Sequence, residues 1–473
     1  MIKKVSAATA ALLLSLVILG GCSSLADLDI VYDLTQQDQQ DAYFELFNSG
    51  EDNGGSLVIL GPESAAPEHP AAVVLEPLPA AQEEPDTGIV TEDVEQKPEP
   101  MELPVTQKSR EQIEREDEEK RQAIGLTEDA VLETIAGNMG NYYFDQLDDK
   151  NRHLYAEILW IIEKRGEKIK VASLDENEID RAFQYVTADH PELFYVDGYT
   201  YTRYTIGGEL VKLGFTARYT YDADETKARE ARIDVAVESI VGAAPTDADE
   251  YYKAKYVYDY IIDHTEYETG APDNQNICSV FLSGRSVCQG YAKAAQLLLN
   301  RLGVKATLVT GKVNAGDRPT TLHAWNLVRV NGHDYFMDPT WGDSSFQQAA
   351  TDENVARRIN YDYLLDTTED LMNTHMIDDL VEMPVCTHLE DNYYVRDGAY
   401  FTGADPDGFR ELFDRAYSEG RGDVTVKCAN ESAYQAVTQY LITDRRLFDY
   451  LRTSGNSASF VSSDTRRTIT FVL

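Results

Sequence analysis

Two segments that alternate apolar and polar residues, Thr321–Val330 and residues 333–338, are separated only by Asn331-Gly332. An Asn-Gly pair between two alternating segments is the strongest short sequence signal for a β-hairpin, because both residues tolerate the positive φ angles of a two-residue turn. With this loop, Val330 lies opposite His333. The sequence therefore predicts an antiparallel hairpin with a defined register.

That register decides which polar side chains share a face of the hairpin. Trp325 falls opposite Asp338, and His323 becomes a diagonal neighbour of Asp338, about 7–8 Å away at the backbone. Side chains alternate along a strand, so His323 and Asp338 are on one face and His333 is on the other. A slip of one residue would reverse this assignment. Turn chemistry thus predicts a histidine within reach of a carboxylate.

A cysteine is the candidate nucleophile beside the predicted histidine and carboxylate. Cys288 follows a loop that contains Gly284 and Ser286, and it precedes an apolar helical segment. A helix N-terminus carries partial positive charge, which favours the thiolate form of a cysteine. A carboxylate that orients an imidazole, and an imidazole that takes a thiol proton, form the arrangement of a cysteine nucleophile.

Three short motifs together resemble the transglutaminase-like superfamily, which also includes microbial cysteine proteases and peptide N-glycanases. They are residues 287–292 (VCQGYA), 323–326 (HAWN) and 338–341 (DPTW). The detailed resemblance covers residues 284–343, and residues 190–194 with the segment after them match more weakly. It implies a papain-like fold, with Cys288 as nucleophile, His323 as base and acid, and Asp338 as the orienting residue. No departure occurs at these three positions.

Other residues of these motifs fit structural roles. Trp325 and Trp341 are expected to wall the site, Gly290 to permit close helix packing, and Tyr291 to lie in the core. The backbone N–H of Cys288 is expected to stabilise an oxyanion. Gln275 is a further candidate donor, and the sequence leaves that choice open. No calcium-loop pattern is visible, so the calcium dependence of some animal relatives is not expected.

The N-terminus predicts export. Lys3 and Lys4 precede an apolar stretch over residues 7–19, which has the length of a signal peptide and is too short for a confident transmembrane helix. Residues 19–22 (LGGC) resemble the lipobox of bacterial lipoproteins, which implies cleavage after residue 21 and lipidation of Cys22. The expected location is the extracytoplasmic face of a bacterial cell membrane, held by the lipid anchor. An ordinary secretory signal with a chance cysteine is the alternative.

The predicted fold class is α+β, in four segments after the signal peptide 1–21. Residues 22–110 hold more than half of the 16 prolines and a large excess of acidic residues, which predicts a disordered tether. Residues 111–245 alternate helical patterns with one hairpin around residues 206–208, and this region should pack against the core. The papain-like core is expected at 246–390, and a small α+β domain without a chemical motif at 391–473.

Charge and cysteine spacing exclude other classes of function. A net charge of -40 argues against nucleic-acid binding, since phosphate contacts need a basic face. The cysteines other than Cys22 show no metal-ligand spacing, so no metal or cofactor is expected. A disulfide between Cys386 and Cys428 stays open, and Cys278 is expected to be a buried, inert thiol.

These patterns predict a cysteine-dependent acyl transferase or amide and peptide hydrolase that works through a Cys288 thioester. The substrate class is protein or peptide, and the location points to the cell envelope as its source. The sequence does not separate hydrolysis from transamidation, since that depends on how well the acceptor site excludes water. The alternative is a catalytically inactive surface binding or assembly lipoprotein, suggested by the tether and by flanking regions without motifs.

Overall fold

The computed structural model describes residues 57–60, 110–206, 209–245, 247–314, 321–343, 359–378, 380–452 and 457–473. The predicted signal peptide and Cys22 lie outside these ranges. The described part mixes helices and antiparallel strands, which confirms the α+β class. One large hydrophobic core joins the region before residue 246 to the segment that carries the sequence motifs, and a second core lies beyond residue 390.

The N-terminal part consists of helices around one hairpin, as predicted. Five helices begin after an Asp or Thr whose side chain accepts a backbone N–H of the first turn, which satisfies a donor that the helix itself leaves unpaired; these residues are Thr127, Asp148, Asp175, Asp222 and Asp249. The helices are α1 (Arg110–Ala123), α2 (Glu128–Asn138), α3 (Tyr142–Asp145), α4 (Asp149–Lys164), α5 (Glu176–Asp189), α6 (Ala223–Ala243) and α7 (Glu250–His264). The predicted hairpin is formed by β3 (Val196–Ile206) and β4 (Glu209–Tyr219), with β2 (Ile169–Lys170) beside β4.

The central part packs one helix on a four-stranded antiparallel sheet. Short strands β5 (Glu266–Tyr267) and β6 (Arg285–Ser286) pair before the helix α8 (Cys288–Arg301). The sheet has the order β10-β7-β8-β9, formed by β7 (Ala306–Val313), β8 (Thr321–Val330), β9 (His333–Met337) and β10 (His375–Ile377). Two short helices, α9 (Pro339–Gly342) and α10 (Thr368–Leu371), lie between β9 and β10.

The predicted register of the central hairpin is confirmed. Val330 pairs with His333, and the pairing continues to Asn326 opposite Met337. Asn331 and Gly332 both have positive φ, as a two-residue turn of this type requires. His333 lies away from His323, and its ring stacks on that of His388 at 3.6 Å between centroids.

The C-terminal part is a five-stranded sheet with two longer helices. Its strand order is β1-β13-β14-β12-β11, in which β1 (Leu57–Leu60) comes from much earlier in the chain. The elements are α11 (Tyr393–Arg396), β11 (Tyr400–Phe401), α12 (Pro406–Glu419), β12 (Asp423–Cys428), α13 (Glu431–Thr438), β13 (Ser457–Ser463) and β14 (Thr468–Val472). Residues 393–395 have the composition of a strand, but Asn392 accepts the backbone N–H of Tyr394 and starts a helical turn there. A capping side chain overrides the β propensity of two tyrosines.

Strand β1 (Leu57–Leu60) falls inside the segment that was predicted to be a disordered tether. It pairs antiparallel with β13, with Leu57 opposite Phe460 and Leu60 opposite Ser457. These four residues are therefore ordered at the edge of the C-terminal sheet, and the rest of the predicted tether before residue 110 lies outside the described residues. Among described residues, no helix combines the length and apolar character needed to cross a membrane.

Candidate active site

Cys288 is the first residue of α8, as predicted. Val287 before it is extended and caps the helix without a side-chain hydrogen bond, while its own N–H donates to the Asn274 carbonyl at 3.3 Å. Cys288 is buried at 4% exposure, directly at the helix end where the unpaired N–H groups concentrate positive potential. Local structure thus places the thiol at the positive end of the helix dipole.

Gly290 allows the loop before the helix to approach its first turn. A side chain at this position would overlap the Ser286 hydroxyl and lie 2.8 Å from the Asn274 carbonyl oxygen. The Ser286 hydroxyl is itself held by hydrogen bonds to Asn274 and Ser279. The predicted role of Gly290 in close packing is confirmed, and the packing fixes where Cys288 lies.

His323 and Asp338 meet as the hairpin register predicts. His323 Nε2 lies 2.7 Å from Asp338 Oδ2, and the two residues are 6% and 0% exposed. The other carboxylate oxygen, Oδ1, accepts the backbone N–H groups of Thr340 at 2.9 Å and Trp341 at 3.2 Å. Asp338 is therefore also the N-cap of α9, whose first residue is Pro339. The backbone N–H groups two and three residues after Asp338 therefore hold its carboxylate in place.

Charge pairing determines the protonation state of His323. Burial disfavours the imidazolium, but the adjacent Asp338 carboxylate and the hydrogen bond with Cys288 outweigh it and raise the pKa of His323 to about 10. Burial likewise opposes the ionised carboxylate, yet His323 and a second histidine, His375, hold the pKa of Asp338 below its usual range. The pair is therefore an ionised carboxylate with an imidazolium.

Cys288 and His323 are in hydrogen-bond contact. Because Asp338 occupies Nε2 of the ring, proton exchange with the thiol must use Nδ1. The three predicted residues thus form one connected array in the order Cys288, His323, Asp338. This array can generate a thiolate, transfer a proton to a leaving group, and keep the imidazole in a single orientation.

Sequence reasoning missed a fourth residue of this array, His375. It is 0% exposed, and its Nε2 lies 3.1 Å from the same Asp338 Oδ2, while Nδ1 lies 2.8 Å from the Thr374 hydroxyl. Burial lowers the pKa of His375 to about 4, although Asp338 acts in the opposite direction. His375 is on a three-residue strand, 37 positions after Asp338, and no local pattern marks it.

Aromatic rings enclose the two histidines, as expected for the tryptophans of the motifs. The Trp325 ring centroid is 5.9 Å from that of His323 and 4.9 Å from that of His375, and the Trp341 ring is 6.2 Å and 5.0 Å from the same two. Tyr291 is fully buried, as predicted, and donates its hydroxyl hydrogen bond within the core. These apolar walls reduce the local dielectric and strengthen the ion pair.

The remaining cysteines show no sign of reactivity. Cys278, Cys386 and Cys428 are buried free thiols, and burial raises the pKa of each to about 12. Cys386 and Cys428 are therefore both free thiols and do not form the disulfide that the sequence left open. Gln275, the second candidate oxyanion donor, is buried next to Asn274 in the loop that contacts Val287, and its role stays a prediction.

One group of described residues has the spacing to hold a metal ion: His323, Asp338 and His375. Their facing atoms already form hydrogen bonds with each other, and Asp338 Oδ1 is used by two backbone N–H groups. A metal ion would have to replace the His323–Asp338 pair. The arrangement fits proton chemistry better than metal binding.

The C-terminal domain contacts the segment that carries His375. Arg466 is buried, and its guanidinium pairs with Asp366 Oδ2 at 2.5 Å and donates to the Asp370 carbonyl at 2.6 Å. It also lies over the ring of Tyr363 at 4.5 Å from the centroid, and that ring is 5.9 Å from the ring of His375. Burial raises the pKa of Asp366 to about 6, against the effect of the arginine. This ion pair connects the two hydrophobic cores behind the site.

Comparison with known proteins identifies the central part of the chain. Residues 236–339 match the family model described as transglutaminase-like superfamily, and this part is a transglutaminase-like domain. The chain has no significant match among curated proteins.

Three solved structures are similar at low identity. A transglutaminase is 18% identical, with a TM-score of 0.22 over 39% of this chain and 51% of that chain. A candidate cysteine protease from Cytophaga hutchinsonii is 13% identical, with a TM-score of 0.20 over 30% of this chain and 61% of that one. A candidate protease from Parabacteroides distasonis ATCC 8503 is 13% identical, with a TM-score of 0.18 over 31% and 37%. The aligned parts span less than two thirds of each of these chains.

Proposed function

We propose that this protein is a cysteine-dependent acyl transferase or amide and peptide hydrolase of the transglutaminase-like type, which acts through a thioester on Cys288. The observation that carries the proposal is the connected array of Cys288, His323 and Asp338 at a helix N-terminus. A nucleophile, a base in contact with it and a carboxylate that orients the base are the three parts of such a site.

The chemistry follows from the positions of the protons. The Cys288 thiolate attacks the carbonyl carbon of a carboxamide or peptide bond, and a tetrahedral oxyanion forms. The N–H of Cys288, at the first position of the helix, is not required by the helix ladder and is a donor for that oxyanion. Imidazolium His323 gives its Nδ1 proton to the departing nitrogen, and the C–N bond breaks to leave a thioester. Ammonia or an amine is released.

The second half of the reaction returns the enzyme to its starting state. Neutral His323 takes a proton from the acceptor, water or a primary amine, which attacks the thioester carbonyl. The C–S bond breaks, and the Cys288 thiolate and imidazolium His323 are restored. Water as acceptor gives hydrolysis, and an amine gives a new amide bond. Asp338 stays ionised throughout and stabilises each imidazolium state.

Proteins or peptides are the proposed substrates, because they carry the carboxamide or peptide bond that a Cys288 thiolate would attack. A lipid anchor on Cys22 would hold the enzyme at the extracytoplasmic face of a bacterial membrane, which makes envelope proteins and peptides the accessible substrates. The large excess of negative charge speaks against nucleic-acid partners.

The test is to capture the acyl-enzyme. The purified chain from residue 23 onward, which keeps strand β1 and the C-terminal domain, is incubated with a glutamine-containing peptide and quenched in acid for mass spectrometry. We expect an adduct on Cys288 that is absent in Cys288→Ala and retained in Cys278→Ser, the matched control at a buried thiol of raised pKa. Added primary amine should divert product from the acid to the amide if transamidation prevails. No adduct with any peptide, together with ordinary thiol reactivity of Cys288, would support an inactive binding protein instead.

A further inference from the structure

His375 has the contacts of a functional residue rather than of a core histidine. It is fully buried, yet its ring nitrogens are both used, Nε2 with Asp338 Oδ2 at 3.1 Å and Nδ1 with the Thr374 hydroxyl at 2.8 Å. Asp338 Oδ2 consequently receives two imidazoles, since His323 Nε2 is 2.7 Å away. With the N–H groups of Thr340 and Trp341 on Oδ1, the carboxylate has four donors and no solvent contact.

We propose that His375 is a positioning residue that fixes the carboxylate of Asp338 for catalysis, which extends the array to four members: Cys288, His323, Asp338 and His375. This inference rests on the proposed function of Cys288 as nucleophile. His375 does not contact the reacting atoms; it acts through Asp338.

The protonation state of His375 suits this role. A neutral imidazole has one N–H, and Asp338 requires it on Nε2. Nδ1 must then accept, and the Thr374 hydroxyl donates to it at 2.8 Å, a shorter contact than its 3.3 Å distance to the Leu371 carbonyl. The carboxylate of Asp338, which can only accept, therefore fixes the tautomer, and Thr374 satisfies the other ring nitrogen. Because the ring is neutral, it donates to the carboxylate without competing as a second cation for the partner of His323.

The charged groups around His375 maintain that state. Asp338 favours protonation of the ring, whereas burial, imidazolium His323 and the Arg466 guanidinium of the C-terminal domain disfavour it. Tyr363 faces the ring from the segment after β9, and burial holds the pKa of its hydroxyl above the usual range. His375 is thus a neutral donor above about pH 4, and the imidazolium of His323 persists up to about pH 10.

The physical need for this donor comes from the carboxylate torsion. The terminal torsion of Asp is broad, so an anchor on one oxygen alone leaves the second oxygen free to swing. The two N–H groups of α9 hold Oδ1. His375 holds Oδ2, which is the oxygen that also contacts His323. Without the second donor, Oδ2 is a buried acceptor with one partner, and its contact with His323 lengthens.

The test compares two substitutions that differ in the donor. His375→Gln keeps an N–H at the position of Nε2, whereas His375→Leu removes it in a similar volume. We expect iodoacetamide to alkylate Cys288 at pH 6 about tenfold more slowly in His375→Leu than in wild type, and within about threefold of wild type in His375→Gln. All reactions contain EDTA, and His388→Leu, at an exposed histidine away from the site, is the control.

A second readout separates positioning from stability. The proton between His323 Nε2 and Asp338 should give a far-downfield NMR signal that persists in His375→Gln and shifts or broadens in His375→Leu. A merely structural histidine would change the melting temperature and leave this signal and the alkylation profile unchanged, which would overturn the inference. If His375→Leu does not fold, Thr374→Val tests the same idea by removing the hydrogen bond that holds Nδ1 of His375, with an expected loss of about threefold; wild-type reactivity in that variant would also overturn it.

The two proposals fail in distinguishable ways. If wild-type Cys288 reacts only as an ordinary thiol, near the free-thiol pKa of about 8.5, then the proposed function is wrong. If wild type reacts at pH 6 and His375→Leu reacts equally well, the proposed function stands and the role of His375 is refuted.

Discussion

Replacement of Asp338 by Asn is the substitution that most directly tests the electrostatics of the site. In the wild type, the carboxylate and the thiol contact raise the pKa of His323 from 6.5 to about 10 against the effect of burial. At 1.36 kcal/mol for each pKa unit, the net preference for the imidazolium is on the order of 5 kcal/mol. Asparagine retains the volume and removes the charge, so this preference is lost and burial alone lowers the pKa of His323.

The amide also disturbs the hydrogen bonds. If its NH₂ faces His323 and His375, it meets Nε2 of both rings, and His323 must carry its proton on Nδ1, where it cannot accept one from Cys288. If the NH₂ is turned the other way, it faces the N–H groups of Thr340 and Trp341. The first orientation removes the base from the array, and the second places the amide donors against the backbone donors of α9.

The assay is the second-order rate of Cys288 alkylation by iodoacetamide from pH 5 to 10. A thiol with a pKa near 8.5 is about 0.3% thiolate at pH 6. Asp338→Asn should therefore react tenfold to a few hundredfold more slowly than wild type at pH 6, with the range set by the lower nucleophilicity of an ion-paired thiolate. The control is Asp189→Asn, which removes another buried carboxylate that accepts two backbone N–H groups. Coincident pH profiles of wild type and Asp338→Asn would refute the ion pair.

The same pair of proteins gives a pH dependence of stability. His323 has a raised pKa in the folded state, so its contribution is fully present below about pH 6.5 and is lost as the pH rises through about 10. The difference in the free energy of unfolding between wild type and Asp338→Asn should hence be largest near neutral pH and shrink in alkali. Urea unfolding at pH 6, 8 and 10 measures it; a difference that grows with pH would contradict the assignment.

Three further predictions concern packing, the C-terminal domain and the anchor. Gly290→Ala should lower the melting temperature and slow Cys288 alkylation, because the new methyl group meets the Asn274 carbonyl at 2.8 Å. Gly137→Ala, with open space around it in helix α2, should not lower the melting temperature and should leave alkylation unchanged. Arg466→Met should cost about 3–5 kcal/mol in chemical unfolding, since it leaves a buried carboxylate unpaired. Loss of the exposed pair at Arg452 should cost under about 1 kcal/mol. Cys22→Ser should move the full-length protein from the membrane fraction to the soluble fraction of an expressing bacterium; retention in the membrane would refute lipid anchoring.

The parts of the site that depend on local sequence could be predicted, because neighbouring residues determine them. Asn331-Gly332 defines the turn, and the turn determines the pairing up to Asn326 opposite Met337. Period-two alternation then places His323 on the face of Asp338. The start of α8 at Cys288 could be predicted in the same way, from a loop that ends where an apolar helical pattern begins.

Where sequence reasoning failed, contacts that the local residue pattern does not reveal were decisive. Residues 393–395 have strand-like composition, but a single cap from Asn392 forms a helical turn. Strand β13 (Ser457–Ser463) was missed, because its serines give no apolar alternation; its place is determined by β14 on one side and β1 on the other. Composition alone also led to the prediction of a disordered tether around Leu57–Leu60, although these residues pair with a strand far along the chain.

His375 marks the limit of local reasoning at the site itself. A three-residue strand carries no measurable period, and its position is determined by pairing with β7, where His375 lies opposite Val313. In the same row of the sheet, Val313 pairs with Thr321 near the start of β8, two residues before His323. Sheet order therefore brings His375 to the site, and sheet order is a non-local property. Since the C-terminal domain holds this segment through Arg466, the geometry of Asp338 depends on residues from both cores. The proposed catalytic array accordingly extends beyond the residues of the three motifs, and a fragment ended near residue 340 should lack His375, the proposed second donor to Asp338 Oδ2.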